Sequence, residues 1–590
     1  MTRVLTFLAV LLLVTAANFA LWFWPNRPVT LEPPPGGKLL SVSFAPFRDG
    51  QSPLTKVYPT REQIDEDLRV IKDQVAGVRT YTSLEGMQHV PELAGKYGLK
   101  VTQGAWLGRR LDLNENEIAS VIELANKHPD TITRVVIGNE VLLRKDLTPE
   151  QLKGYIRRVK AAVKQPVTYA DVWEFWLKYP EIAQEVDFVT IHLLPYWEDI
   201  PVGTGDAAER VLDAWEEIHR AFPDKPILVG EAGWPTAGRT RGPAETGLIE
   251  KARFVSLFTN LAAKHDFDYN LIEAFDQNWK AKLEGTVGGH WGLYSVDRKA
   301  KFDLSAPVVD NPRWPIHFAL SNALALAILL VVGRFGPPLR PAGFLAVALL
   351  TQGLCSAFVH AAAQAVGWNY YLHDVAQAVM LLGLELAVGA AVLVAAVRLY
   401  TGPGKDWPGF IPAEQAGTEA GAWRLSFAPG AVKKSGFLKG GGLVRCGHQA
   451  LLALGIYGVA WNALLVFDGR YRDFPNPDYA IPVAGLLALG FLRWLSTPRQ
   501  GGLAAFSYGL LLTGGRLKGA GGVPRTFGRA IRMVPWDAAI AGVLAVGAIG
   551  IVIAEGPLNI EAWTWAAMQL AWALPFAATV GLAWRGAEPR

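Results

Sequence analysis

The chain has 590 residues, 51% of them hydrophobic, with a formal charge of +4 and two cysteines. That length exceeds one ordinary domain, and so small a charge gives no footprint for a nucleic-acid partner. Two cysteines exclude a disulfide scaffold, and ten histidines without HExxH or any other ligand spacing leave neither a catalytic metal nor a cofactor expected.

Taken in order, Val4–Trp24 is an apolar run preceded by Arg3 and long enough to cross a bilayer. Ala16 and Ala17 offer the small residues of a cleavage site, yet the apolar character continues through Leu21–Trp24. Residues 1–24 are therefore expected to remain as an N-terminal transmembrane anchor, and with or without cleavage the segment after residue 24 is exported. Proline-rich residues 25–38 read as a stiff linker.

From Leu39 onward, short apolar strands alternate with amphipathic helices, which argues for a parallel sheet. The expected strands are Leu40–Ala45, Gly77–Tyr81, Lys100–Trp106, Arg134–Gly138, Val167–Ala170, Phe188–His192, Ile227–Gly230 and Asn270–Phe275. Thr60 with Gln63, and Thr148 with Pro149 and Gln151, are helix start signals. Eight such units within residues 39–315 fit one (β/α)8 TIM barrel, with a doubly wound open sheet as the alternative.

Beyond Pro315 the composition changes. Apolar runs occupy Ile316–Gly333, Phe344–Val366, Val375–Val397, Ala450–Phe467, Ala480–Leu495, Ala538–Ala554 and Ala562–Trp584. The expected fold is thus α/β, a TIM barrel followed at 316–590 by a polytopic all-α membrane domain embedded in a lipid bilayer. Lys and Arg gather in alternate loops: Arg334 and Arg340, then Arg398 through Arg445, then Arg493 through Arg532, then Arg585 and Arg590. The positive-inside rule places those loops and both termini in the cytoplasm and the barrel outside it. Lys439–Arg445 (KGGGLVR) and Lys518–Arg525 (KGAGGVPR) form a weak internal echo. His360, Glu385 and Asn462 lie within apolar runs, where polar groups usually bond between helices or line a pathway.

Two strands share a design. RVVIGNE ends in Asn139 and Glu140, and ILVGEAGWPT carries Glu231 beside Trp234. Two carboxylates at the ends of opposing barrel strands are what double displacement at a glycoside requires, one as acid/base and one as nucleophile, about 5–5.5 Å apart. Asn139 is placed to bond a sugar 2-hydroxyl, a contact that strengthens as the ring becomes cationic. Trp106, Trp173, Trp176, Tyr196, Trp197, Trp234, Trp279 and Trp291 all fall at or just after strand ends, where indole faces suit sugar C–H faces. Tyr81 and Asp171 are candidate partners for sugar hydroxyls. Glu273 is read as supporting a donor near Glu231, and His192 as either a partner of the nucleophile or a structural histidine. No QxxRW signature of a processive sugar-nucleotide synthase occurs.

IGNE together with VGEAGWPT resembles glycoside hydrolase family 17, and the resemblance covers roughly residues 39–310. Gly77–Tyr81, Phe275–Lys280 and His290–Tyr294 resemble further family segments, although Asp276–Gln277 departs from the usual Asn–Glu. The resemblance implies a (β/α)8 fold, retention of configuration, a β-1,3-glucan substrate, Glu140 as acid/base and Glu231 as nucleophile. Barrel plus multiple spans resembles bacterial membrane proteins associated with cyclic β-1,3/β-1,6-glucan formation in rhizobia, which remodel a glucan made by a separate membrane synthase. The expectation is a transglycosylase in the bacterial inner membrane with a periplasmic barrel. The alternatives are an endo-β-1,3-glucanase and a non-catalytic glucan receptor serving an export channel.

Overall fold

The computed structural model describes residues 2–336, 339–401, 442–467, 469–475, 480–496, 506 and 535–585. The chain separates into two compact units, Pro28–Asp310 and a second made of Met1–Arg27 with Asn311–Arg590.

The first unit is a closed barrel of eight parallel strands in sequence order. They are β1 (Val42–Ser43), β2 (Gly77–Arg79), β3 (Lys100–Ala105), β4 (Ile132–Asn139), β5 (Val167–Val172), β6 (Val189–His192), β7 (Ile227–Ala232) and β8 (Asp268–Leu271). Val42 pairs with both Val78 and Leu271 and so closes the ring. The open-sheet alternative is thereby excluded. Strand residues are buried almost throughout, as a parallel sheet covered on both faces demands. Eight strands stand where eight were read, with one shift: β8 ends at Leu271, before the Glu273 that the sequence placed inside it. Residues 28–38 do not stand clear of the barrel, since Val29 pairs with Val308 and Pro33 O accepts from Asn260.

Both helix start signals are realised. Thr60 caps a helix over Arg61–Ile71 and Thr148 one over Pro149–Lys160, each with the reciprocal glutamine bond of a capping box. The second helix buries Leu152, Ile156 and Val159, the single stripe that amphipathic spacing dictates.

In the other unit every apolar run is helical, beginning with Thr2–Phe23. Among the described residues, five helices are long and apolar enough to cross a membrane: Trp314–Phe335, Pro341–Trp368, Leu372–Tyr400, Gln449–Phe467 and Ala538–Glu555. Val483–Leu495 is shorter, and Ile560–Arg585 carries Pro575. Polar side chains tie these helices together. Asn462 Oδ1 accepts from Trp565 Nε1 at 2.9 Å, so Asn462 serves a helix–helix bond. Glu385 is fully buried beside an apolar cavity, whereas His360 lies on an exposed face. The KGAGGVPR half of the internal echo, and most of the basic loops, lie outside the described residues.

Candidate active site

The two motif glycines have different reasons to be there. Gly138 has φ +83°, and a Cβ on it would stand 2.7 Å from Val141 Cγ2. That left-handed turn ends β4 and delivers Asn139 and Glu140 to the rim. Gly230 needs space: a Cβ there would lie 2.4 Å from Thr190 Cγ2 and 3.1 Å from the Arg79 guanidinium. Its missing side chain lets an arginine from β2 reach the centre of the barrel mouth.

Arg79 organises that centre. It is 1% exposed, and its guanidinium donates to Gly230 O at 2.6 Å and Asn139 Oδ1 at 2.7 Å, lying 3.4 Å from Glu231 Oε1. Because Asn139 Oδ1 faces the arginine, its amide NH2 is the group left to donate elsewhere. His192 stands between the two carboxylates. Its Nδ1 is 2.8 Å from Glu140 Oε1, and its Nε2 is 3.5 Å from Glu231 Oε1 and 3.2 Å from Arg79. One oxygen of each glutamate and a His192 ring nitrogen all lie within 4.8 Å of one another. This matches the carboxylate spacing of double displacement, not the wider gap that admits a water for direct inversion.

The same three residues have the spacing of a metal-ligand set. A divalent ion there would face the fixed guanidinium already seated against Glu231 and His192, and two cations so close in a buried pocket repel strongly. The cluster is built around arginine as its positive charge. Burial raises the Glu140 carboxyl, and the His192 bond and charge, with Arg144 and Arg79, outweigh it and hold the group below the ordinary range. At 2.8 Å Nδ1 and Oε1 are within hydrogen-bond distance, beside the place a leaving oxygen would occupy.

Other expected residues are placed around this centre. Tyr81 donates to Ser43 Oγ at 2.8 Å, beneath Arg79 at 5.0 Å from its ring. Desolvation raises its phenol well above the usual range. Asp171 is fully buried, and burial pushes it up to about 6. It accepts from Tyr169 Oη and from the Val172 and Leu143 amides, so its oxygens are committed to protein donors rather than turned to a sugar. Glu273 is buried with both oxygens 2.9 Å from Lys280 Nζ, and it also accepts from Gln277. The charges of Glu273 and, more weakly, Glu231 favour the protonated Lys280 ammonium against its burial.

The aromatic set divides. Trp234, Trp291, Trp176 and Tyr196 are buried, and Tyr196 sits edge-on to Trp234 and Trp291 at about 6 Å. Trp234 Nε1 donates to Glu245 O and Tyr196 Oη to Arg239 O. These rings form the packing beneath the rim, not an open sugar platform; the hydrophobic return on covering so much ring area explains why they lie inward. Trp173 is also buried, with Arg210 over it. Trp279 and Trp197 are partly exposed, and Trp106 is 42% exposed.

Sequence reasoning missed Arg79 and Lys280 as site residues. The signal for Arg79 was present: an arginine between Val78 and Thr80, in a strand whose neighbours bury both faces, has only the barrel axis in which to place a charge.

Residues 41–292 match the family model described as BtgE/BtgC glycoside hydrolase domain. A glucan 1,3-beta-glucosidase of Arthroderma benhamiae is 28% identical over 271 residues, which cover 41% of this chain and 84% of that protein. One of Schizosaccharomyces pombe is 26% identical over 256 residues, covering 40% and 79%. Among solved structures, a glycoside hydrolase family 17 beta-1,3-glucanosyltransferase from Rhizomucor miehei is similar at 26% identity over 45% of this chain and 95% of that one, with a TM-score of 0.40. The barrel is a glycosidase-type domain with the family 17 resemblance read from its two strand ends.

Proposed function

We propose that this protein is a retaining β-1,3-glucan transglycosylase. Relatives named as glucan 1,3-beta-glucosidases support the substrate class. The observation that carries the mechanism is the approach of the Glu140 and Glu231 carboxylates to within 4.8 Å at the mouth of one barrel. Glu231 attacks the anomeric carbon, and Glu140 gives a proton to the departing glucan oxygen. Glu140 then takes the proton of an incoming hydroxyl as that oxygen displaces Glu231. Arg79 restrains the nucleophile and turns the Asn139 amide, while His192, 2.8 Å from Glu140, is the neighbour with which that carboxyl can exchange its proton.

Alternating basic loops support eight spans with cytoplasmic termini and the barrel on the outer side of the membrane, and the resemblance to rhizobial glucan-remodelling proteins supports a bacterial inner membrane and a separate synthase supplying the glucan. The test is full-length protein in detergent, incubated with a laminari-oligosaccharide of one length. Products longer than the donor mean transfer, and only shorter ones mean hydrolysis. Glucan binding without any turnover, unchanged in Glu231→Gln and Glu140→Gln, would make the barrel a receptor instead.

A further inference from the structure

We propose that Trp106 and Arg144 form a platform that receives the acceptor glucan chain on the acid/base side of the cleft, with Arg144 as the residue that positions it. This rests on the retaining-transglycosylase reading and adds where the second sugar chain is held.

The argument begins with strand order. β3 pairs with β4 through Gly104 to Val136 and Ala105 to Ile137, so Trp106 leaves the barrel beside Gly138–Glu140. In a ring of eight, β3 stands directly opposite β7, which carries Glu231. Trp106 therefore flanks the acid/base and lies across the mouth from the nucleophile. That is the flank from which a leaving chain departs and an acceptor arrives.

The ring is exposed on a fixed base. Its backbone amide bonds the buried Glu117 carboxylate at 3.3 Å, and the same carboxylate takes the Ser83 amide at 2.9 Å and the Thr82 hydroxyl. Arg144 lies 4.4 Å over the ring centroid. Each nitrogen of its guanidinium makes one bond: Nη2 donates to Leu107 O at 2.8 Å, Nε to Asp146 Oδ2 at 2.8 Å, and Nη1 to Asn139 O. With its edges held in one plane, the guanidinium can offer the indole only a flat face. One side of Trp106 is backed in this way while the residue stays 42% exposed, and its Nε1 donates to none of the described residues. An exposed indole, rigidly backed and with a spare N–H, suits the C–H face and a hydroxyl of a glucopyranose.

The platform is also coupled to the chemistry. The Arg144 amide donates to Glu140 O at 2.9 Å, and its side chain grips the Asn139 carbonyl. A chain stacked there is in register with the acid/base. In the second half-reaction its hydroxyl oxygen forms the new bond to C1, the bond from C1 to Glu231 breaks and returns its electron pair to that carboxylate, and the hydroxyl proton passes to Glu140. Water entering the same place gives hydrolysis. Occupancy of the platform thus sets the partition between the two.

The test uses full-length protein in detergent, laminaripentaose as donor and increasing laminaribiose as acceptor, with transfer and hydrolysis products quantified separately. Trp106→Ala should lower the ratio of transfer to hydrolysis about tenfold and raise the acceptor KM by a similar factor, with Trp106→Tyr recovering most of it. Arg144→Lys keeps the charge and loses the planar fork, and should move the ratio in the same direction by less. A ratio unchanged in Trp106→Ala, or transfer and hydrolysis falling together, would overturn the platform. If the unsubstituted protein cleaves no donor, it is the glycosidase reading that fails. Thermal unfolding within a few degrees of the parent confirms that Trp106→Ala, a surface truncation, is folded.

Discussion

At the scale of single residues the site depends on one buried cation. Arg79 neutralises Glu231, fixes the Asn139 amide and shares His192, all from a position with almost no solvent. Removing one partner of a buried charge set leaves the others desolvated and uncompensated, a loss on the order of 3–5 kcal/mol. Arg79→Met is therefore expected to lower both thermal stability and kcat, by about a hundredfold or more for kcat, and Arg79→Lys to recover little because a compact ammonium lacks the planar fork that spans Gly230 O, Asn139 Oδ1 and Glu231. Steady-state rates and unfolding temperatures read both effects; a stable, fully active Arg79→Met would refute the role. Glu231→Gln and Glu140→Gln should each cost roughly a thousandfold in turnover while glucan binding persists. The glycines make a separate prediction. Gly230→Ala drives a methyl into Thr190 and against Arg79, and should cost about 1–3 kcal/mol and disturb activity more than its distance from solvent suggests.

At the scale of elements, the helix over Leu111–Lys127 reaches into the rim through Glu117. Burial outweighs three hydrogen-bond donors and pushes that carboxyl up to about 7. A free glutamate titrates near 4.3, so across the interval from about 4 to about 7 the folded chain retains a proton that the unfolded chain has lost. Stability contributed by this group therefore falls as pH rises through the interval and changes no further above it. Unfolding temperatures of the barrel against pH should show that decline, and Glu117→Gln should flatten it. Parallel curves would show that Glu117 is not the titrating group.

The N-terminal helix offers a second element-level test. Asn18, buried in an apolar face, donates to Ser321 Oγ at 3.0 Å and accepts from Ser356 Oγ at 2.7 Å, on two different helices of its own unit. Removal of the segment would take the Asn18 bond from both serines and leave them only bonds within their own helices. Intact-mass measurement should find the helix retained, and Asn18→Leu should lower stability in detergent by about 1 kcal/mol. A mature chain beginning after residue 24 would exclude the arrangement.

For the whole molecule, a glycosidase-type barrel is joined to a helical unit that carries, among the described residues, five helices long and apolar enough to cross a membrane. The proposed topology is checked by labelling engineered cysteines in the short loops: one between Gly367 and Asp374 should react from outside intact cells, and one beside Arg334 only after lysis.

Local chemistry in the sequence already determined much of this protein. Short apolar runs, period-3.6 apolar spacing, capping boxes and long apolar runs are properties of neighbouring residues, so eight strands, their helices and the long apolar helices could be read directly. Glu140 and Glu231 were legible for the same reason, since each ends an apolar strand after a glycine whose use is local. Closure of the ring decided the rest. Only when Val42 pairs with both Val78 and Leu271 does Arg79 meet Glu231, and only then does His192 stand between carboxylates from two other strands. The tryptophans show the limit most plainly. A strand end can be read from sequence, but whether the ring there turns outward like Trp106 or inward like Trp234 depends on which loops fold over it, and that is settled by packing between residues far apart in the chain.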